Sequence, residues 1–125
     1  MIGETSAQDL ARKQIVAAFA ADWPTLEQLY ADNVQYRDPD TRLSSRAAVL
    51  DRLRGQAGAF AGFDYTITHT YSDSADGAIV EWAMSGQAAG KPVSLDIVTA
   101  YHFLSGRIVS ERNYWDNAGL QAQLG

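Results

Sequence analysis

Cysteine is absent from this 125-residue chain, which also has only two histidines. Without thiols, a disulfide framework, a cysteine nucleophile and a cysteine-bound zinc site are all excluded. His69 and His102 are far apart, and neither has a second histidine at i+2 or i+4, so we expect no metal site. The glycines within residues 55–62 lack the strand-then-helix context of a phosphate loop. We therefore expect a protein that works without a metal or a cofactor.

Basic residues are outnumbered by acidic ones, and the formal net charge is −5. That balance argues against a nucleic-acid-binding surface. Carboxylates interleave with the arginines of residues 37–54, which predicts a solvated face of mixed charge rather than an anion site. No apolar run has the length of a membrane span, and residues 1–6 lack the pattern of a signal peptide. We expect a cytoplasmic protein that binds neither membranes nor nucleic acid.

Apolar residues make up 46% of the chain, which is enough for one folded domain over residues 1–125. In the first half these residues recur at helical spacing. Thr5, with Gln8 three residues later, predicts a helix N-terminus, and Pro24 favours the first turn of a second helix. The predicted elements are a helix from Thr5 to about Ala21, a second helix that carries Tyr30 and stops near residues 32–33, a strand over residues 34–38, and a third helix capped by Ser44 or Ser45.

After Gly62 the apolar period changes from 3.6 to 2, which is typical of strands with one buried face. Four consecutive strands are predicted, over residues 63–71, 79–87, 93–104 and 107–116. The inward positions include Phe63, Tyr65, Ile67, His69 and Tyr71 on the first of them, and Val109, Glu111, Asn113 and Trp115 on the last. This order predicts an α+β domain in which a curved, mixed or antiparallel sheet wraps around three N-terminal helices.

Several inward positions carry large apolar side chains together with a few polar groups, the mixture that ligand sites have. Each of them alone also fits ordinary core packing. Glu111 stands out because an inward carboxylate must be paired, protonated or solvated, and Arg37 and Tyr101 are its candidate partners. The predicted substrate-binding residues are Gln14, Tyr36, Trp82, Met84, Leu95, Thr99, Glu111, Asn113 and Trp115.

Asp38 ends the short predicted strand directly before Pro39, and strand parity turns its carboxylate inward. A carboxylate that faces an apolar cavity can act as a proton-transfer base, because burial and neighbouring groups tune its pKa. The same residue can instead fix the turn at Pro39, as aspartate often does before proline.

Five segments carry a resemblance to a known family. They are Leu29-Tyr30-Ala31-Asp32-Asn33, Arg37-Asp38-Pro39, Tyr101-His102-Phe103, Gly106-Arg107-Ile108-Val109 and Asn113-Tyr114-Trp115-Asp116. With this order of elements the chain resembles the nuclear transport factor 2-like superfamily over nearly its whole length. It is most similar to the branch of the ketosteroid isomerases and the SnoaL-like polyketide cyclases. The resemblance implies a cone-shaped α+β barrel.

The resemblance also implies roles for single residues. Asp38 matches the general base of the ketosteroid isomerases, including the proline that follows it. Gln14 and Thr99 stand where those enzymes have a tyrosine and a second aspartate that stabilise an oxyanion. Tyr101, on the same predicted face as Thr99, is expected to take over this function. The predicted catalytic residues are therefore Asp38 and Tyr101.

The catalytic residues of two other groups of this superfamily match less closely than the ketosteroid isomerase base. Polyketide cyclases of this fold take their acid and base residues from the late strands, where this chain has Asn113 and Asp116. The Asp-Arg-Asp set of the limonene epoxide hydrolases falls on Val80, Trp82 and Asn113, so that pattern is not kept.

Two functions remain open from the sequence. The first is a cofactor-independent isomerase, cyclase or dehydratase in which Asp38 removes a proton next to a carbonyl group of a small hydrophobic substrate. The second is a non-catalytic module that binds a small hydrophobic ligand, since one fold hosts both uses. In either case we expect a homodimer through the outer face of the long strand. That face consists of Ser94, Asp96, Val98, Ala100, His102 and Leu104.

Overall fold

The structure is a computed structural model that describes residues 6–125. This part of the chain forms four helices and six strands. In chain order they are α1 (Ala7–Phe19), α2 (Trp23–Leu29), β1 (Tyr30–Asp38), β2 (Thr41–Leu43), α3 (Arg46–Ala59), β3 (Asp64–Ser74), β4 (Gly77–Ala88), β5 (Lys91–Leu104), β6 (Arg107–Tyr114) and α4 (Asn117–Leu124). None of the described helices is long and apolar enough to cross a membrane.

All six strands form one curved sheet in the order β2-β1-β6-β5-β4-β3. β1 is parallel to β6, and the other neighbouring strands are antiparallel. The predicted α+β domain with a mixed sheet is therefore confirmed. β2 and β3 are the two edges of the sheet, so the barrel that the resemblance implies is not closed.

Side chains and turn residues fix the helix ends. Ser6 and Ser45 accept hydrogen bonds from the backbone at the first turns of α1 and α3, which confirms one of the two caps predicted for the third helix. The predicted cap Thr5 lies outside the described residues. α1 ends at Phe19, before the predicted Ala21, which adopts a positive φ of 54° that no helix tolerates.

Two irregularities in the strands correct the predicted faces. The register shifts between Ile67 and His69, and a β-bulge of this kind moves the following side chains to the other face. His69 therefore lies on the outside with its side chain 65% exposed, and Tyr71 is exposed as well, so their predicted burial is wrong. A second shift, at residues 102–103, buries Ile108 more deeply than the predicted Val109.

Two short elements and one boundary escaped the sequence analysis. β2 has only three residues, too few to show a period, and α4 has eight. Tyr30, expected in the second helix, is the first residue of β1 and is fully buried.

Two apolar clusters fill the space between the sheet and the helices. The larger one joins α1, α2 and α3 to β1, β4, β5 and β6, and the smaller one joins β4 and β5 to α4. Phe19, Tyr65 and Trp82 pack against both clusters. The Phe19 ring stacks on Tyr65 at 4.3 Å and meets Trp82 edge-on at 5.7 Å. The gap left between the clusters is the cavity described next.

Candidate active site

A cavity of about 340 Å³ lies between the inner face of the sheet and helices α1, α3 and α4. Its volume lies in the range of small-molecule sites. Ten of the eleven predicted site residues line it. They are Gln14, Tyr36, Trp82, Met84, Leu95, Thr99, Tyr101, Glu111, Asn113 and Trp115.

Strand register gives this cavity one polar and one apolar end. From the polar to the apolar end, the directly opposed pairs are Tyr101 with Glu111, Thr99 with Asn113, and Leu95 with Met84. Gln14 of α1 is part of the polar end, because the Tyr101 hydroxyl donates a hydrogen bond to its side-chain oxygen at 2.5 Å. A ligand in this cavity would therefore meet hydrogen-bonding groups on one side and hydrocarbon on the other.

Glu111 is the only carboxylate that lines the cavity in the described part of the chain. It is 3% exposed and has no ion-pair partner among residues 6–125. Its Oε1 accepts a hydrogen bond from the Tyr30 hydroxyl at 2.5 Å, and its Oε2 accepts one from the Asn113 amide at 2.8 Å. Burial raises the pKa of Glu111 above its ordinary value, although the two hydrogen bonds oppose the shift.

The predicted partners of Glu111 are therefore wrong. Arg37 donates instead to the Tyr114 hydroxyl at 2.5 Å and lies 5.4 Å from the centre of that ring. Tyr101 faces Glu111 across the two strands, but its hydroxyl donates a hydrogen bond to Gln14 instead. Sequence reasoning missed Tyr30 as the partner of Glu111. The only feature that could have indicated it is that a buried tyrosine needs a hydrogen-bond partner for its hydroxyl.

Gln14 presents an amide N–H group to the cavity. The side chain is 4% exposed, and its oxygen is occupied by Tyr101. In the described structure, every fully buried polar side-chain atom has a hydrogen-bond partner. The Gln14 side-chain nitrogen has no such partner there, so it is not fully buried and reaches the cavity space. Burial raises the pKa of Tyr101 well above its ordinary value, which keeps the hydroxyl neutral.

Asp38 is absent from the cavity wall, so its predicted position there is wrong. Its Oδ2 accepts hydrogen bonds from the Tyr36 hydroxyl at 2.7 Å and from Arg52 Nε at 3.0 Å, and Arg52 Nη2 lies 3.0 Å from the same oxygen. Its Oδ1 accepts from the Asp40 backbone N–H at 2.9 Å. Asp38 is instead among the residues that line a second, more open groove, together with Asp40, Asn113 and Trp115. Strand parity buries Asp38 as expected, but its carboxylate binds Arg52 of α3 and does not face a ligand cavity.

Tyr36 separates Asp38 from the cavity, since it lines the cavity and its hydroxyl donates a hydrogen bond to Asp38. Burial, followed by the charges of Glu111 and Asp38 and the hydrogen bond to Asp38, raises its pKa well above the ordinary value. Asp116, the late-strand candidate, caps α4 by accepting a hydrogen bond from the Gly119 N–H at 2.9 Å.

The cavity wall also contains apolar residues that the sequence did not single out as site residues. They are Phe19, Leu53, Phe60, Phe63 and Leu120. Apolar spacing is their only sequence signal, and core residues share it. Among residues 6–125, no group of three or more histidine, aspartate or glutamate side chains is arranged to hold a metal ion.

Comparisons with known proteins place this geometry in a family. A family model of the SnoaL-like domain matches residues 11–111. No curated protein matches the chain.

Solved structures share the fold at low sequence identity. IdmH from Streptomyces antibioticus, a candidate polyketide cyclase, superposes with a TM-score of 0.82 at 20% identity over 95% of this chain and 98% of its own. An LEH-like epoxide hydrolase from M. tuberculosis gives 0.79 at 18% identity over 94% and 88%. A Catenulispora acidiphila protein with a ketosteroid isomerase-like fold gives 0.79 at 18% identity over 92% and 91%. These likenesses confirm the predicted nuclear transport factor 2-like fold.

Proposed function

The chain belongs to the SnoaL-like domain family, and on that premise we propose that it is a cofactor-independent acid–base enzyme. Its substrate is a small hydrophobic compound with a carbonyl group, and the reaction is an isomerisation, cyclisation or dehydration that begins with removal of the proton next to that carbonyl. One observation carries the proposal: at one end of an apolar cavity, a buried carboxylate that has no cation partner within residues 6–125 lies beside an amide N–H that also has no partner there.

Glu111 acts as the base in this proposal, in place of Asp38. A carboxylate has about four acceptor positions, and only two are used by Tyr30 and Asn113, so Glu111 keeps capacity to accept a proton from a ligand. Its raised pKa makes it a stronger base than an exposed glutamate, which suits general base catalysis. Asp38 has no comparable freedom, because Arg52 and Tyr36 already use its Oδ2.

Gln14 stabilises the negative charge that forms on the substrate. When Glu111 takes the proton from carbon, the electron pair moves onto the carbonyl oxygen, and the Gln14 N–H donates a hydrogen bond to that oxygen. Donors that are already oriented toward a developing charge lower the barrier most, and Tyr101 supplies this orientation by holding the Gln14 oxygen at 2.5 Å. The proton then returns to another carbon in an isomerisation, or the enolate carbon attacks a second carbonyl in a cyclisation.

The apolar end binds the hydrocarbon body of the substrate. Phe19, Phe63 and Trp115 line it and exclude water from the polar end. The similarity to an epoxide hydrolase adds no second proposal, because the Asp-Arg-Asp set that the resemblance to the limonene epoxide hydrolases implies falls on Val80, Trp82 and Asn113 here. The predicted homodimer and cytoplasmic location stay predictions.

Proton exchange on a simple ketone tests the proposal. The probe is 2-tetralone, a bicyclic ketone small enough for the cavity, and NMR in D₂O follows the loss of its protons next to the carbonyl. We expect the protein to accelerate this exchange and Glu111→Gln to lower the acceleration roughly 100- to 10,000-fold, the contribution of a positioned base. Glu81→Gln, on a partly exposed outer-face glutamate, is the matched control and should behave as the native protein does.

Two outcomes would reject parts of this assignment. Exchange that survives in Glu111→Gln but is lost in Asp38→Asn returns the base to Asp38. If the ketone binds, as shown by tryptophan fluorescence, without any exchange above the background rate, the alternative of a non-catalytic binding module takes precedence.

A further inference from the structure

A chain of hydrogen bonds connects the cavity-lining indole of Trp82 to the Glu111 carboxylate. Trp82 Nε1 donates to Thr99 Oγ1 at 3.0 Å, and Thr99 Oγ1 donates to Asn113 Oδ1 at 2.8 Å. Asn113 Nδ2 then donates to Glu111 Oε2 at 2.8 Å. Strand register makes the chain possible, because Thr99 is directly opposite Asn113, and Asn113 and Glu111 share one face of β6.

The direction of this chain is set at the indole. An indole nitrogen is a donor only, whereas a hydroxyl both donates and accepts, and a side-chain amide can turn either end toward a neighbour. Since Thr99 Oγ1 accepts a hydrogen bond from the Trp82 N–H, the Thr99 hydroxyl hydrogen is directed to the Asn113 oxygen. The Asn113 amide is thereby turned so that its NH₂ group faces Glu111.

The reversed amide would have the opposite effect on the carboxylate. It would bring Asn113 Oδ1 against Glu111 Oε2, and two acceptors form a hydrogen bond only when the carboxyl group is protonated. The reversal would also give Thr99 two incoming N–H groups and turn its own proton away from Asn113. The Trp82 N–H therefore disfavours the amide orientation that goes with an inactive, protonated base.

We propose that Trp82 is a positioning residue that acts through Thr99 and Asn113 to keep an N–H directed at Glu111, so that Glu111 stays ready to accept a proton. The functional meaning of this role rests on the proposed function of Glu111 as the base. The role is additional to the contact that the Trp82 ring makes with the cavity, since only the indole nitrogen takes part in it.

Other groups around Glu111 act alongside this chain. From β1 they are Tyr30, Tyr36 and Asp38, from β5 Tyr101, and from α3 Arg52, which is paired with Asp38. The tyrosines stay neutral, because burial raises the pKa of each one well above its ordinary value. Asp38 adds a negative charge that also raises the pKa of Glu111. None of these groups orients Asn113.

Titration of the Glu111 carboxyl carbon tests the positioning role directly. Protein labelled with ¹³C at the glutamate carboxyl is titrated by NMR, and Glu111 is identified by the signal missing from Glu111→Gln. We expect Trp82→Phe, which keeps an aromatic ring but lacks the N–H, to raise the titration midpoint by about one pH unit, a tenfold change in proton affinity. Thr99→Val should raise it as well, whereas Thr99→Ser keeps the hydroxyl and should leave it in place.

Trp115→Phe is the matched control. Trp115 lines the same cavity, but its N–H donates to Asn117 Oδ1 at 3.2 Å, away from Glu111, so its loss should leave the midpoint where it is. Equal midpoints for Trp82→Phe, Trp115→Phe and the native protein would overturn the proposal. Should Trp82→Phe fail to fold, the comparison of Thr99→Val with Thr99→Ser decides, and equal midpoints there overturn it too.

The titration does not depend on turnover, so the two proposals fail separately. If Glu111→Gln keeps the exchange activity while Trp82→Phe still shifts the midpoint, Glu111 is not the base and the positioning role stands. If Glu111→Gln is inactive while neither Trp82→Phe nor Thr99→Val shifts the midpoint, Glu111 is the base and the positioning role is wrong.

Discussion

The ion pair between Asp38 and Arg52 predicts an unequal loss of stability when either partner is removed. The Asp38 side chain is fully buried, whereas the Arg52 side chain is 30% exposed. Removing Arg52 leaves a buried carboxylate whose remaining hydrogen-bond donors within residues 6–125 are the Tyr36 hydroxyl and one backbone N–H. Removing the Asp38 charge leaves a guanidinium that water reaches and that lies 3.9 Å from Asp40. Arg52→Met should therefore destabilise the protein more than Asp38→Asn.

The magnitudes follow from this geometry. Breaking a buried ion pair by removing one partner costs about 3–5 kcal/mol, and the partial exposure of Arg52 reduces that to about 2–4 kcal/mol for Arg52→Met. Asp38→Asn keeps the shape and an acceptor, and loses charge-assisted hydrogen bonds for a cost of about 1–2 kcal/mol. In the double variant the two losses overlap, and a double-mutant cycle should give a coupling of about 1–3 kcal/mol.

Urea unfolding followed by tryptophan fluorescence measures these free energies of unfolding, and 2-tetralone exchange on the same samples measures activity. We expect Asp38→Asn to lose stability while keeping most of the exchange activity. Two results would refute the reasoning: an Asp38→Asn loss of stability equal to or larger than that of Arg52→Met, or a fully stable Asp38→Asn that is inactive. The second result would mean that Asp38 is the base after all.

Two further predictions concern stability around the cavity. The pKa of Glu111 is raised in the folded state, so its contribution to stability is present below the ordinary value of 4.5 and lost as the pH rises through the folded pKa. Relative to the native protein, Glu111→Gln should therefore gain stability as the pH is raised, by about 1.4 kcal/mol per unit of upward pKa shift, as measured by urea unfolding across the pH range. In Gly86→Ala the new methyl group would lie 2.7 Å from the Phe63 ring and push it toward the cavity, at a cost of about 1–3 kcal/mol, whereas Gly55→Ala has open space in α3 and should stabilise by up to about 1 kcal/mol in the same assay.

Alternation along the strands was enough to find the cavity. The inward parity of β4, β5 and β6 brought together residues that are distant in sequence, such as Trp82, Thr99 and Glu111, because one buried face of a strand leaves little freedom for its register. Parity failed where a bulge interrupts it, at Ile67–His69, since an inserted residue leaves no mark in the apolar pattern.

Sequence reasoning could not assign the partners of the two buried carboxylates. Parity turned both Asp38 and Glu111 inward, and both are buried. Which of them pairs with a cation depends on how α3 packs against β1. That packing brings Arg52 to Asp38, and no local sequence pattern predicts this contact. Tyr30 reaches Glu111 in the same way, 81 residues away in the chain.

The contrast between these two carboxylates is the physical basis for choosing Glu111 as the base. A buried charge lowers stability unless it is paired. Within residues 6–125, Asp38 is paired with Arg52, whereas Glu111 has only neutral hydrogen-bond donors. Enzymes commonly keep such uncompensated groups where they react, at the expense of stability. Asp38 fixes Tyr36 and the end of β1, while its charge, through the space between them, makes Glu111 more basic.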